Sequence, residues 1–485
     1  MIRTHSLAAL AASAALLLGG CTTTNNYNYP KDARAAPAAS KAQAAGQAKN
    51  VILFIGDGMG ISTVTAARIY AGQKQGQSGE EYVLPFETFD NVALVKTYNT
   101  DAQVADSAGT ASAMHTGVKT RIGVLGYGPG VANGDCASGS GHELGLLGEE
   151  VKQRGLALGI VSTARLTHAT PASVYARSVS RDWEGDTAIP EDQRGLGCTD
   201  IAQQLVAAPF DVALGGGSVA FFGKQNGGLR LDDGADLPAD WAAATGGNFV
   251  TTAADLAAAP ADAPLLGLFS PSHMTYMVER GDQSSEPTLT EMTATAVTRL
   301  ADDPDGFYLM VEGGRIDHGH HDGQAGYALE EAVEFARAIQ WAIDNTDPAE
   351  TLIMVTADHS HVFTIAGYPR RGNDILGLVV PPEGWGEDGD PADAPMLAAD
   401  GKPYTTLGYG NGPGALKPAV ANGRPIPETG IGAHQQAAIP TGSETHGGED
   451  VALYANGPGA ENVRGVMEQN LIYDVIRKAF GWDTE

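Results

Sequence analysis

The sequence predicts an α/β fold in which helices flank a doubly wound, mostly parallel sheet, and three observations favour it. Continuous apolar runs, typical of strands buried on both faces of a parallel sheet, lie at 51–55, 307–311 and 352–355. A polar loop follows each run, and an amphipathic helix is predicted over 325–343. Ligands of such sheets bind outside the carboxyl ends of the strands. We therefore expect the three loops to share one site.

The loops after the three predicted strands carry carboxylates and imidazoles, which are the ligands that suit zinc. They are Asp57 in the first loop, Asp317 and His321 in the second, and Asp358 and His359 in the third. Solvated loop residues would explain one such cluster, but three clusters at three strand ends favour a metal centre. Two ions about 4 Å apart form a clamp for in-line displacement at phosphorus.

A candidate nucleophile lies outside these loops, in the run Asp106-Ser107-Ala108-Gly109-Thr110. Small residues surround Ser107, and a helix is compatible with the sequence after it. A serine at a helix N-terminus benefits from the positive end of the helix dipole, although a capping serine would explain the same pattern. No Gly-x-Ser-x-Gly motif surrounds Ser107, so we expect a metal ion rather than a histidine base to activate it.

Composition limits the classes of partner. The chain of 485 residues is long enough for one large α/β domain with insertions, and its 63 glycines and 26 prolines indicate many loops. A formal net charge of -28 argues against nucleic-acid binding. Such a surface also repels anionic substrates at long range, so local cations would have to attract them. This favours bound metal.

The N-terminus predicts export. The apolar run at 7–18 is too short to span a bilayer, and residues 1–20 are typical of a signal peptide. Leu18-Gly19-Gly20-Cys21 resembles a bacterial lipobox, which predicts lipidation of Cys21, although a simple cleaved signal would also fit. Residues 21–49 are expected to form a polar tether, and 50–485 are expected to form a catalytic domain. We expect a periplasmic or cell-surface protein that is held to the bacterial membrane by its lipid alone.

Four further features of the domain follow from the residues alone. Cys136 and Cys198 are the remaining cysteines, and in an exported protein they suggest one bridge; no Cys or His spacing near them indicates zinc. Residues 367–440, rich in Gly and Pro, predict an insertion of loops and short strands. A closing helix is predicted over 463–480. The Gly-rich run at 214–217 lacks the Lys-Ser/Thr of a nucleotide-binding loop.

These motifs carry a family resemblance. Over residues 50 to 480 the chain resembles the alkaline phosphatase family, and the matching runs are IGDGMG at 55–60, DSAGT at 106–110, VEGGRIDH at 311–318, TADH at 356–359 and ETHGGED at 444–450. Gly319-His320-His321, His168 and the stretch at 404–414 are closer to the animal-type branch than to the enteric bacterial one.

The resemblance implies hydrolysis of a broad range of phosphate monoesters through a phosphoserine on Ser107, with two zinc ions and one magnesium ion. The first zinc would bind Asp317, His321 and His446. The second would bind Asp57, Asp358 and His359, with the oxygen of Ser107. Magnesium would bind Asp57, Thr170 and Glu312, and His168 would tune it through water.

The resemblance also selects a phosphate clamp. Arg165, Arg177 and Arg181 lie close together in the sequence, and spacing alone does not choose among them. The family pattern selects Arg181, whose guanidinium fork matches two phosphate oxygens.

Further expectations from the family concern assembly. They include a Cys136–Cys198 disulfide, a crown-like insertion at 367–440 that helps to form a homodimer, and Tyr368 reaching toward the partner's site. The calcium site of animal members is in doubt, because Phe269 is followed by Ser270 rather than Glu. The alternatives are a related phosphodiester or sulfate-ester hydrolase, or a lipoprotein that only binds phosphate or metal.

Overall fold

The described part of the chain lies within one compact unit. The computed structural model describes residues 46–281, 283–385, 393–415 and 424–482, and all of them belong to the unit Lys41–Glu485. The predicted signal peptide and Cys21 lie outside the described residues. In the described ranges, no helix combines the length and the apolar character needed to cross a bilayer.

Strands and helices alternate along much of the chain. The strands are β1 (Asn50–Gly56), β2 (Asn91–Lys96), β3 (Ala157–Arg165), β4 (Val212–Gly216), β5 (Asn248–Val250), β6 (Leu265–Leu268), β7 (Phe307–Gly313), β8 (Thr351–Ala357), β9 (Ser360–His361), β10 (Phe363–Ile365), β11 (Leu407–Gly412), β12 (Gln436–Pro440), β13 (His446–Gly447), β14 (Val451–Asn456) and β15 (Gly465–Glu468). The helices are α1 (Ile61–Lys74), α2 (Ser107–Thr116), α3 (Leu147–Gln153), α4 (Ala169–Ala172), α5 (Ile201–Ala207), α6 (Leu237–Thr245), α7 (Ala253–Ala258), α8 (Leu289–Leu300), α9 (Arg315–His321), α10 (Ala325–Asn345) and α11 (Leu471–Ala479).

A large central sheet confirms the predicted fold class. Among the described residues it has ten strands, in the order β15-β2-β14-β8-β1-β7-β3-β4-β6-β5. β1 lies between β7 and β8 and is parallel to both. All five apolar residues from Val51 to Ile55 are 0% exposed, and burying each large aliphatic or aromatic side chain contributes about 1.5–3 kcal/mol. Continuous apolar runs were therefore the correct signal for these strands.

The predicted helix at 463–480 is wrong in its first part. Gly465–Glu468 forms β15, which pairs in parallel with β2, and the helix α11 begins only at Leu471. Gly465 has a φ of +69°, a left-handed conformation that does not continue a helix. These residues form a strand because they pair with the edge of β2 that β14 does not occupy.

The fold begins slightly before the predicted boundary at residue 50. Ala48 is buried, and its N–H donates to the carbonyl of Ala479 at 2.7 Å. This contact attaches the start of the domain to the closing helix.

The range 367–440 contains short strands in its described parts, and the two cysteines are bridged. In the described parts of 367–440 the regular elements are β11 and β12, which form a three-stranded sheet with β10. Cys136 and Cys198 form a disulfide with their Cα atoms 5.8 Å apart. A small apolar cluster packs beside it, consisting of Val124, Val131, Val179, Trp183 and Ile189. The predicted bridge is confirmed.

Candidate active site

Three neighbouring strands bring the predicted polar residues to one edge of the sheet. Asp57 directly follows β1, Glu312 lies near the end of β7, and Asp358 directly follows β8. Because these strands are adjacent and parallel, their carboxyl ends coincide. All three carboxylates are 0% exposed. Gly58 has a φ of +66°, and a Cβ there would lie 2.2 Å from Nε2 of His361, so the turn after β1 requires glycine.

Asp317, His321 and His446 form a first set of converging donor atoms. Nε2 of His321 lies 3.3 Å from Oδ1 of Asp317 and 3.1 Å from Nε2 of His446. Nε2 of His446 lies 3.5 Å from the same oxygen. Donors on one tetrahedral zinc, each about 2.0–2.1 Å from the metal, are about 3.3–3.4 Å apart. The spacing of this set therefore suits one zinc ion.

The imidazoles of this set are oriented as metal ligands. Nδ1 of His321 lies 2.6 Å from the carbonyl of Glu444, and Nδ1 of His446 lies 2.7 Å from the carbonyl of Ala105. A carbonyl oxygen only accepts, so each Nδ1 carries the proton and each Nε2 presents its lone pair. Hydrogen bonding of the second ring nitrogen in this way is usual for zinc-bound histidines.

A second set surrounds the hydroxyl of Ser107. Nε2 of His359 lies 3.5 Å from Oδ1 of Asp57 and 3.5 Å from Oδ2 of Asp358. Oγ of Ser107 lies 3.1 Å from the same Nε2. The rings of His359 and His446 stack with centroids 3.6 Å apart, so the two sets are adjacent.

Ser107 is the first residue of α2 rather than its cap. Asp106 is the N-cap, and its carboxylate accepts from the N–H of Gly109. The capping interpretation of Ser107 is therefore wrong, and its hydroxyl is free to face the second set. Placement at the helix N-terminus also gives Ser107 the positive end of the helix dipole.

A third set lies on the other side of Asp57. Oxygens of Asp57 and Glu312 and a ring nitrogen of His168 lie within 4.8 Å of one another. Ser162 donates a short hydrogen bond to Oε2 of Glu312. The hydroxyl of Thr170 is buried among the described residues without a hydrogen-bond partner. These mostly oxygen donors suit a hard cation such as Mg²⁺.

The electrostatics of the centre favour bound cations. Burial, and then the neighbouring carboxylates, raise the pKa of Asp57 well above its usual range, and burial raises the pKa of Glu312 to about 7. Buried oxygens on three carboxylates also have no hydrogen-bond partner among the described residues, on Asp57, Glu312 and Asp358. Unpaired carboxylates in a dry site are strongly unfavourable unless a cation neutralises them. The residues present therefore fit metal ions.

Arg181 differs from its two sequence neighbours by facing this centre. One guanidinium nitrogen lies 3.1 Å from Oδ2 of Asp106, and another lies 2.9 Å from Nε2 of His168. Arg177 instead pairs with Glu149 at 2.5 Å, and Arg165 pairs with Glu184 at 2.6 Å. Of the three arginines, Arg181 is the one that contacts both Asp106, the N-cap of the helix of Ser107, and His168 of the third set.

Two residues of the centre that were not predicted as site residues from the sequence are His361 and Glu444. In β9, His361 pairs with His446 of β13. Its Nε2 lies 2.9 Å from Oδ1 of Asp317, and its Nδ1 lies 2.5 Å from Oε2 of Glu444. Burial opposes protonation, but the two carboxylates raise the pKa of His361 to about 9. The positive charge of His361 thus balances the carboxylate of Asp317. Its position two residues after His359 was the sequence signal that could have indicated this role.

The geometry agrees with comparisons to known proteins. The family model for alkaline phosphatase matches residues 48–482. The chain belongs to the alkaline phosphatase family. The tissue-nonspecific alkaline phosphatase of chicken, Gallus gallus, is 46% identical over 447 residues, which cover 88% of this chain and 83% of that protein. The alkaline phosphatase of cod, Gadus morhua, is 43% identical over 446 residues, covering 88% and 90%.

Solved bacterial structures share the fold. The alkaline phosphatase of Thermus thermophilus has a TM-score of 0.64 at 25% identity, covering 90% of this chain and 92% of that one. The enzyme of the Antarctic bacterium TAB5 has a TM-score of 0.62 at 24% identity, covering 90% and 100%. The higher identity to animal members confirms the expected resemblance to the animal-type branch. Enzymes of the alkaline phosphatase family are phosphoric monoester hydrolases, and this membership assigns the chain to that class.

Proposed function

We propose that this chain hydrolyses a broad range of phosphate monoesters through a phosphoserine on Ser107, with two zinc ions and one magnesium ion as cofactors. One observation supports the proposal most strongly. The hydroxyl of Ser107 contacts His359 of the second donor set, and that set adjoins the first set through His446 and the third set through Asp57. Asp317, His321 and His446 would hold one zinc, and Asp57, Asp358 and His359 would hold the second. Asp57, Thr170 and Glu312 would hold magnesium, and His168, whose ring nitrogen lies close to the two carboxylates, would tune it through water.

The proposed reaction has two steps, formation and hydrolysis of the phosphoserine. Ser107 attacks phosphorus in line, the alcohol leaves, and a phosphoserine forms at the N-terminus of α2, whose dipole favours its negative charge. When bound, the cations would lower the pKa of the serine hydroxyl and of the attacking water, and would neutralise charge on the leaving oxygen. A water molecule then cleaves the phosphoserine from the opposite side and releases inorganic phosphate.

Arg181 holds the phosphoryl group in this scheme. Its guanidinium offers two parallel N–H donors to two phosphate oxygens. The contact with Asp106, which is itself fixed by the N–H groups of Gly109 and Gly123, would orient the fork toward Ser107. Although burial opposes it, the charges of Asp106 and Asp57 raise the pKa of Arg181, so the guanidinium stays charged.

Related hydrolases of phosphodiesters or sulfate esters are the alternative. Ser107 lacks the Ser/Cys-x-Pro-x-Arg setting of a sulfatase nucleophile. The third set, with Glu312 and Thr170, favours monoesters. The test measures kcat/KM for an aryl phosphate monoester and for the matching diester on protein whose zinc and magnesium contents have been determined. A higher value for the monoester supports the proposal, and a higher value for the diester contradicts it.

Assembly and location are proposed from two further features. Tyr368 is 72% exposed at the start of the insertion, beside the ring of Trp385 at 5.5 Å, and would contact a second copy of the chain in a homodimer. Light scattering of the wild type and Tyr368→Ala tests this.

The lipobox would attach Cys21 to a bacterial membrane, in the periplasm or at the cell surface. Cys21→Ser should move the enzyme from the membrane fraction to the soluble fraction.

A further inference from the structure

A buried histidine outside the three donor sets lies on the helix of Ser107. His115 is 0% exposed and comes eight residues after Ser107 in α2, about 12 Å along the helix axis. It is not a member of any of the three donor sets described above. Burial lowers the pKa of His115 to about 4, so the ring is neutral near pH 7 and has one donor nitrogen and one acceptor nitrogen.

The contacts of His115 determine which nitrogen carries the proton. Oγ of Ser173 lies 2.7 Å from the carbonyl of Thr170, and a carbonyl only accepts, so the hydroxyl proton of Ser173 is used there. Nδ1 of His115 lies 2.8 Å from Oγ of Ser173 and 3.1 Å from the carbonyl of Ala111. Both are acceptors toward Nδ1, and Nδ1 is therefore protonated.

The other ring nitrogen must then accept. Nε2 of His115 lies 2.9 Å from the hydroxyl of Tyr308, which is also 0% exposed. The hydroxyl of Tyr308 therefore donates to His115, His115 donates to Ser173, and Ser173 donates to the carbonyl of Thr170. All three side-chain hydrogen bonds have one consistent direction, and we call this chain of contacts the His115 relay.

The relay joins three elements that carry the site. Tyr308 is in β7, four residues before Glu312, and His115 is in α2 with Ser107. The carbonyl at its end belongs to Thr170 of α4. Asp106 anchors the first turn of α2, whereas His115 anchors the last turn. Two fixed ends determine the direction of a ten-residue helix more strictly than apolar packing, because hydrogen bonds are directional.

We propose that His115 is a positioning residue that holds the helix of Ser107 against Thr170, so that the serine and the third cation site keep a fixed relation. The inference rests on the proposed function, because it assumes that Thr170 contributes to the magnesium site. It requires no contact between His115 and substrate. Loss of the bond from His115 to Ser173 uncouples α2 from Thr170, whereas loss of the bond from Tyr308 to His115 alone leaves that link intact.

Two substitutions of His115 test the donor nitrogen Nδ1 and the acceptor nitrogen Nε2 separately. Asparagine places an amide nitrogen near the position of Nδ1, and glutamine places an amide oxygen near that of Nε2. His115→Asn combined with Tyr308→Phe therefore keeps the donor to Ser173 and leaves no orphan hydroxyl. His115→Gln keeps the acceptor for Tyr308 and loses that donor. Ser173→Ala breaks the same bond from the other side and serves if His115→Gln does not fold.

The readout is the dissociation constant of Mg²⁺, measured by calorimetry on zinc-loaded protein, together with kcat and Tm. Disturbing the support of a metal ligand costs about 10-fold to 100-fold in affinity, so we expect His115→Gln and Ser173→Ala to bind Mg²⁺ at least about 10-fold more weakly. The Asn/Phe double variant should stay within about 3-fold of the wild type, since its bond to Ser173 remains.

Two results would overturn the inference. Unchanged Mg²⁺ affinity in all variants, with only a lower Tm, would make His115 an ordinary core residue. Equal loss in the Asn/Phe and Gln variants would refute the proposed direction of the relay. A wild type that binds no Mg²⁺ would instead refute the third cation site of the proposed function, so the two failures are distinguishable.

Discussion

The hydroxyl oxygen of Ser107 lies 3.1 Å from Nε2 of His359, although 252 residues separate them. The same nitrogen lies 3.5 Å from a carboxylate oxygen of Asp57 and of Asp358. A histidine beside a serine could be a general base, but here its lone pair converges with two carboxylates. This arrangement favours activation of Ser107 by a bound cation.

Metal removal distinguishes the two forms of activation. Dialysis against a chelator should lower kcat at least about 100-fold, because activation and leaving-group stabilisation both depend on the cations. Addition of Zn²⁺ followed by Mg²⁺ should restore activity, with circular dichroism showing that the fold persisted. Full activity in metal-free protein would instead identify His359 as a base.

The guanidinium of Arg181 should be required for phosphate binding. We expect Arg181→Lys to lower kcat/KM about 10-fold to 100-fold and to weaken inhibition by inorganic phosphate, because an ammonium cannot form the two parallel bonds. Arg177→Lys is the matched control, since Arg177 pairs with Glu149 and the carbonyl of Leu144. Equal effects of the two substitutions on phosphate inhibition would count against the clamp.

His361 should support zinc without binding it directly. Because charged His361 balances Asp317 and is held by Glu444, His361→Gln should weaken zinc binding about 10-fold to 100-fold. Competition with a chromophoric chelator measures this affinity. The exposed His142 supplies the control His142→Gln, and zinc affinities that match between the two variants would contradict the role.

A buried carboxyl outside the centre predicts a pH effect on stability. Burial raises the pKa of Glu331 from 4.5 to about 7, and its carboxylate accepts from the N–H of Met277 at 2.6 Å. Between pH 4.5 and about 7 the folded protein therefore retains a proton on Glu331 that the unfolded chain releases. The free energy of unfolding falls as pH rises through this range.

Glu331→Gln keeps an acceptor for Met277 and removes the titration. At pH 8 the free energy of unfolding of the variant should be about 3 kcal/mol higher than that of the wild type. The difference should vanish near pH 4.5. Urea unfolding at both pH values measures it. A difference that does not change with pH would show that Glu331 does not titrate in this range.

Local sequence patterns predicted the centre of the fold better than its edge. β7 and β8 are buried along their whole length and β1 is buried from Val51 onward, and each strand contains a continuous apolar run. The closing helix was predicted too long because Val466 and Met467 are as apolar as the helix that follows. In the structure Val466 is 60% exposed and Met467 is 8% exposed, a strand alternation that only pairing with β2 explains.

The site divides in the same way. Strand-end motifs predicted the carboxylates and His359, because their position follows from sheet topology. His361 depends on Glu444, 83 residues away, and His115 depends on Tyr308, 193 residues away. The spacing from His359 was the one local signal for His361, and neither contact itself can be predicted locally, since each is produced by packing of distant elements.

The most direct test of the mechanism is to trap the phosphoryl enzyme. Wild-type protein is incubated with radiolabelled inorganic phosphate, quenched in acid and digested, and the labelled peptide is sequenced by mass spectrometry. Ser107→Ala is compared with Ser112→Ala, which alters a buried serine of the same helix. We predict label on Ser107 in the wild type and in Ser112→Ala, and none in Ser107→Ala, whose kcat should fall on the order of 10³-fold or more. Label on another residue, or full turnover by Ser107→Ala, would contradict Ser107 as the nucleophile.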